Sequence, residues 1–174
     1  MDGIDRFDIG VLLLRAVFGL FLAYHGLNKF IGPGGLRGTA RWFGGIGMRW
    51  PQWQARMAAT TEVGAGVLFA AGLLTPLAAA GIIGVMTVAI AVAHWKVGFF
   101  IFKPDQGWEY CASIITAAVT VAIVGAGDLS LDHALDISWS GWAGALTAIG
   151  AGVGGAAAQL AVSYRPPAKA KANE

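Results

Sequence analysis

An all-α bundle of membrane-spanning helices is the fold class this sequence predicts, and three observations predict it. Of the 174 residues, 56% are hydrophobic and only 13% are charged, against about 25% charged in an ordinary soluble domain. Mean hydropathy is +0.63. Five apolar stretches reach or approach the roughly 20 residues a helix needs to cross the hydrocarbon core, each residue adding about 1.5 Å. None shows the two-residue alternation of a barrel strand. This composition excludes a disordered chain, a disulfide-stapled scaffold and a soluble enzyme.

The expected spans are Ile9–Leu27, Met57–Leu74, Leu77–Trp95, Tyr110–Gly125 and Ser138–Ser163. The fourth is short, and the fifth is rich in Gly and Ala. The first is read as a mature helix rather than a secretory signal. Its flank carries Asp2, Asp5 and Asp8 against Arg6 alone, Arg15 interrupts its apolar run, and no small-x-small cleavage site follows. Orientation follows from the Lys and Arg residues of the short loops. One side carries Lys29, Arg37, Arg41, Arg49, Arg56, Lys96, Lys103, Arg165, Lys169 and Lys171; the other carries Arg6 with Asp128, Asp132 and Asp136. The expected topology therefore has its N-terminus outside and its C-terminus in the cytoplasm. Residues 165–174 are expected to be a disordered cytoplasmic tail.

The 30–56 segment holds Arg41, Trp42, Arg49, Trp50 and Trp53, the composition of an interfacial anchor. A lid over a cavity between the helices is the functional alternative. The paired glycines Gly34-Gly35 and Gly44-Gly45 argue against a rigid lid helix.

Ionisable groups at membrane depth cost about 2.5–3.5 kcal/mol each on insertion scales, so they need a partner or a purpose. Arg15, His25, Lys29, Glu62, His94 and Glu109 are the candidate site residues. His25 and Lys29, four apart, share a helical face. Counting rise along each helix puts Glu62 with His25, Lys29, His94 and Glu109 near one membrane face. Arg15 falls about 10 Å away along the membrane normal by the same rise. The expected picture is a polar cluster around Glu62 with Arg15 reaching down to it as charge partner.

Three readings of that cluster stay open. It is an ion pair that clasps two helices; or a site for a quinone head group, whose carbonyls need donors such as His25 and Lys29 and whose quinol needs a proton acceptor such as Glu62; or a proton or solute path. In the quinone reading Glu62 and His25 carry the proton chemistry, and Arg15, His25, Lys29, Glu62, His94 and Glu109 hold the cofactor. No intrinsic cofactor is expected. No metal site is expected either, because His25, His94 and His133 lie on separate segments. The lone Cys111 excludes an intrachain dithiol. The bases flank spans, so they are no signal for nucleic acid. In the fifth span Gly144, Ala148, Gly152 and Ala156 recur every four residues, as do Gly150 and Gly154. That spacing suits close helix packing, within the bundle or against a second chain.

Leu14-Arg15, Gly19, His25-Gly26 and Lys29 form a pattern that resembles the opening of the DoxX family of small bacterial membrane proteins. Glu62 with Gly72-Leu73-Leu74-Thr75-Pro76, then Gly107-Trp108-Glu109-Tyr110, then Gly125-Ala126-Gly127-Asp128-Leu129-Ser130-Leu131-Asp132 resemble its later segments in order. The resemblance implies a four-helix membrane domain over 1–136 in the bacterial cell membrane, with 137–164 as an additional transmembrane helix. It also implies a link to redox metabolism, since relatives include small subunits of a thiosulfate:quinone oxidoreductase. The expected function is thus a membrane component of a quinone-linked redox system. Its expected partners are the lipid bilayer and a companion redox subunit, or a second copy through the fifth helix. The alternatives are a scaffold that docks other chains and a small transporter.

Overall fold

The computed structural model describes residues 5–166; the expected tail therefore lies mostly outside the described residues. The described chain is an all-α membrane bundle. Helix α1 spans Arg6–Ile31, α2 Gly35–Gly45, α3 Pro51–Ala71, and α4 Thr75–Ala89, which runs on into a π turn at Ile90–His94. Helix α5 spans Glu109–Val124, α6 Leu131–Ala134 and α7 Gly141–Ser163. Helices α1, α4 with its π turn, and α7 are long and apolar enough to cross a membrane. Helix α3 has 21 residues, but Gln52, Gln54, Arg56, Thr60, Thr61 and Glu62 lower its hydropathy. Helix α5 is apolar but has only 16 residues. Leu13, Leu20, Phe21, Trp142 and Leu146 face outward, where a bilayer rather than water satisfies them.

Small residues set the close helix crossings. A Cβ at Gly66 of α3 would sit 2.5 Å from the Gly19 carbonyl oxygen of α1, and one at Gly26 would sit 2.8 Å from the Ala59 carbonyl. Only glycine permits that approach, and it brings the last two turns of α1 against Glu62. On the other side, a Cβ at Gly152 of α7 would lie 2.8 Å from the Ala80 carbonyl of α4. Gly144, Ala148, Gly152 and Ala156 are buried inside the bundle. Gly150 and Gly154 have nothing within 4 Å of a Cβ position.

The paired glycines do not prevent a helix in the long first loop, contrary to expectation. They stand at the ends of α2, while Leu36, Ala40 and Phe43 form an inward stripe at helical spacing. Burial of that stripe stabilises a helix this short, and Arg37 and Arg41 stay exposed. Gln159 of α7 donates to the Gln54 side chain of α3 at 2.8 Å. The Arg49 amide bonds the Ser163 carbonyl at 2.7 Å, and the Arg165 amide bonds the Gly47 carbonyl at 2.8 Å. The ends of α1, α4 and α7 and the starts of α3 and α5 therefore meet at one end of the bundle, with α2 across it. That end holds Lys29, Arg37, Arg41, Arg49, Lys96, Lys103 and Arg165, and is called the basic end below. The α3–α4 turn and residues 125–140 make the opposite, acidic end.

Candidate functional site

The expected polar residues separate into two groups at opposite ends. Arg15 is fully buried and does not reach Glu62. It donates from Nη1 to the Ala70 carbonyl at 3.1 Å and from Nη2 to the Leu129 carbonyl at 2.7 Å, while Nε has no protein partner among the described residues. Its opposing charge is Asp132. Asp132, also buried, accepts from the amides of Leu74 at 2.7 Å and Thr75 at 3.0 Å, and from the Thr75 hydroxyl at 2.6 Å. A carboxylate reaching from 57 residues away thus caps the N-terminus of α4, where free amides and the helix dipole both favour an anion. Asp8 closes the same end, accepting from the Asp128 amide at 2.8 Å. Gly72–Pro76 and Gly127–Asp132 therefore meet in one structural lock. Arg15 belongs to that lock, and its expected pairing with Glu62 is corrected.

At the basic end the charge partner of Glu62 is Lys29, whose ammonium bonds Oε2. The Glu62 side chain is only 6% exposed and that of Lys29 22%. The other Glu62 oxygen takes no hydrogen bond from any described residue and opens on a cavity of about 690 Å³. His25, Lys29, Glu62 and His94 all line this cavity. The His25 ring lies 6.1 Å from the ring of Tyr110, another lining residue. The remaining wall is mainly apolar, and Trp42 and Phe43 of α2 lie across it.

His94 owes its place to the π turn, in which the Trp95 amide bonds the Ile90 carbonyl at 2.8 Å, five residues back. Its Nδ1 lies 2.7 Å from the Gln106 carbonyl oxygen. A carbonyl only accepts, so Nδ1 carries the proton and Nε2 is left as the free acceptor of the neutral ring. Gln106 and its neighbour Asp105 both hold left-handed backbone, at φ 57° and 67°, a strained pair that presents the carbonyl to His94. Glu109 lies outside the cavity. It accepts from the Ile101 amide at 3.1 Å, tying down the loop before α5, and lines a separate shallow depression.

Tyr110, Phe43, Met48, Gln106 and Gln159 line the cavity without having been proposed as site residues, as does Cys111, read from the sequence only as a lone thiol. Only Tyr110 carried a signal, as the neighbour of Glu109 in the third matching segment. Among the described residues, no three His, Cys, Asp or Glu side chains converge as metal ligands do.

Fold and site define a helical membrane protein with a cavity that is apolar along its walls and ionic at one pole. The DoxX family profile matches residues 10–95. A protein of Bacillus subtilis (strain 168), named "Putative oxidoreductase CatD", is 33% identical over 127 residues, covering 72% of this chain and 87% of the relative. No solved structure matches. The chain belongs to the DoxX family.

Proposed function

We propose that the cavity binds the head group of a membrane quinone and that the chain is the membrane component of a quinone-linked redox system. The observation that carries this reading is Glu62: a buried carboxylate with one oxygen on Lys29 and the other open to the cavity. Lys29 and His25 are donors for a quinone carbonyl, and Glu62 is the proton acceptor for the quinol. His94, with Nδ1 held by the Gln106 carbonyl, lines the same space. Oxidation of the quinol to quinone releases two electrons and two protons. In this reading electron donation to the quinone belongs to a companion chain, and Glu62 exchanges the accompanying protons with the head group. The sequence offers no dithiol of its own for that transfer, since Cys111 is its single cysteine. The oxidoreductase name of the Bacillus relative agrees with this assignment. We place the basic end at the cytoplasmic face of the bacterial cell membrane, with the N-terminus outside, by the bias of Lys and Arg.

Glu62→Gln in lipid nanodiscs tests the reading. Wild-type protein is expected to bind a quinone stoichiometrically. The variant is expected to bind it about tenfold more weakly, the loss of roughly one charge-assisted hydrogen bond, with its unfolding midpoint near wild type. A wild type that binds no quinone overturns the proposal. A variant that loses stability but keeps its quinone affinity makes the ion pair a clasp between α1 and α3.

A further inference from the structure

The cavity is longer than any head group requires. Along α4 its lining runs from Ala80 to His94, about 20 Å at the rise of a helix. Its polar side chains come from the end of α1, the middle of α3, His94, Gln106 and Tyr110, with Gln159 near the end of α7. It also runs between α4 and α7, where Val85, Val88 and Val92 of the one and Ala151, Gly155 and Ala156 of the other line it. Helix α7 lies outside the span of the family profile, which stops at residue 95. Nevertheless it is built into this chamber, held by Gln159 on Gln54 and by the close approach of Gly152 to Ala80. Gly155 and Ala151 line the cavity from exposed positions, and a Cβ at Gly155 would meet nothing within 4 Å, so the cavity is open along this side. The wall is therefore apolar, roomy and continuous with the ionic pole.

We infer that the face of α7 bearing Ala151 and Gly155 is the wall for the ligand's apolar tail, so that α7 selects a quinone with a prenyl chain over a bare head group. This rests on the head-group reading above and adds to it the class of ligand and the residues that choose it. A ring at the Lys29–Glu62 pole fills only part of about 690 Å³, and a flexible hydrocarbon chain removes the remaining apolar wall from water or lipid headgroups. A side chain placed at Gly155 stands at the open side of the gallery and pushes on no neighbouring helix. Gly154 is equally open but does not line the cavity, which makes it the matched control.

The test compares binding of a four-prenyl menaquinone with menadione, its tail-free analogue, and of a short-chain ubiquinone with its tail-free parent, in nanodiscs of fixed lipid composition. The wild type is expected to prefer the tailed forms by about tenfold or more, the factor carried by two or so buried methylenes. Gly155→Phe is expected to abolish that preference by weakening the tailed forms only, and Ala151→Leu to reduce it. Gly154→Phe is expected to leave it unchanged, with thermal unfolding verifying that all three variants fold. An undiminished preference in Gly155→Phe and Ala151→Leu overturns the inference while leaving the head-group site standing. Equal affinity of the wild type for tailed and tail-free forms also overturns it. Competition by added phospholipid that erases the preference assigns the gallery to a lipid chain and overturns it as well. No binding of any quinone by the wild type is instead the failure of the head-group reading.

Discussion

Arg15 and Lys29 are two bases on one helix, about 21 Å apart along its axis, and their surroundings give them different work. Arg15 is sealed in and bonded to two backbone carbonyls opposite Asp132. Lys29 is partly exposed at a cavity and bonded to a carboxylate that has a free oxygen. Removing Arg15 leaves the Ala70 and Leu129 carbonyls without their donor and a buried carboxylate without its opposing charge. Each buried carbonyl left without its donor costs about 1–3 kcal/mol. Arg15→Leu is therefore expected to lower the denaturant midpoint sharply, while any folded fraction keeps wild-type quinone affinity. A loss of affinity at unchanged stability would place Arg15 in the binding site instead. Depth along each helix was readable from the sequence, because rise per residue is constant, and it placed Glu62 on the same side as Lys29. The direction in which Arg15 points was not, because that depends on which backbone ends are left without partners beside it.

At the level of helices, the α1–α3 crossing sets the geometry of the ion pair. Gly26 lies against the Ala59 carbonyl and the Glu62 Cβ, each 2.8 Å from where its own Cβ would be. Gly26→Leu must push α1 off α3. Overpacking of this kind costs about 1–3 kcal/mol, and here it also draws Lys29 away from Glu62. The expected result is a lower unfolding midpoint together with lost head-group binding, measured on the same nanodisc sample. Retained binding would show that the pole tolerates helix separation. Helix α2 shows the opposite limit of pattern reading. Its glycines mark ends rather than a break, and its three inward residues fold because α3 and α7 offer a surface to bury them. The π turn at Ile90–His94 likewise has no sequence signature, since the extra residue is accommodated by packing and by the bond from His94 to Gln106.

For the whole molecule, charge is largely segregated by end: apart from Arg6 and Arg15, the described lysines and arginines lie towards the end with the cavity, and the buried Asp8 and Asp132 with the lock. This predicts how the chain lies in the cell. In a Cys111→Ser background, Asp136→Cys is expected to react with a membrane-impermeant maleimide on intact cells, and Arg37→Cys only after the membrane is opened. The reverse labelling would invert the proposed topology and put the cavity mouth outside.

By itself the sequence determined that the chain is an all-α membrane bundle, where its long apolar helices run, which end is basic, and that His25, Lys29 and Glu62 belong near one membrane face. These follow from composition, length and rise, which are properties of the chain taken one helix at a time. Tertiary structure decided the rest. It bonded Arg15 to two backbone carbonyls at the Asp132 end, moved Glu109 out of the cavity to hold a loop, placed His94 on the cavity lining, and laid α7 along the apolar gallery. Each of these depends on the rotation of one helix against its neighbours, and that rotation is set by packing between surfaces distant in the chain.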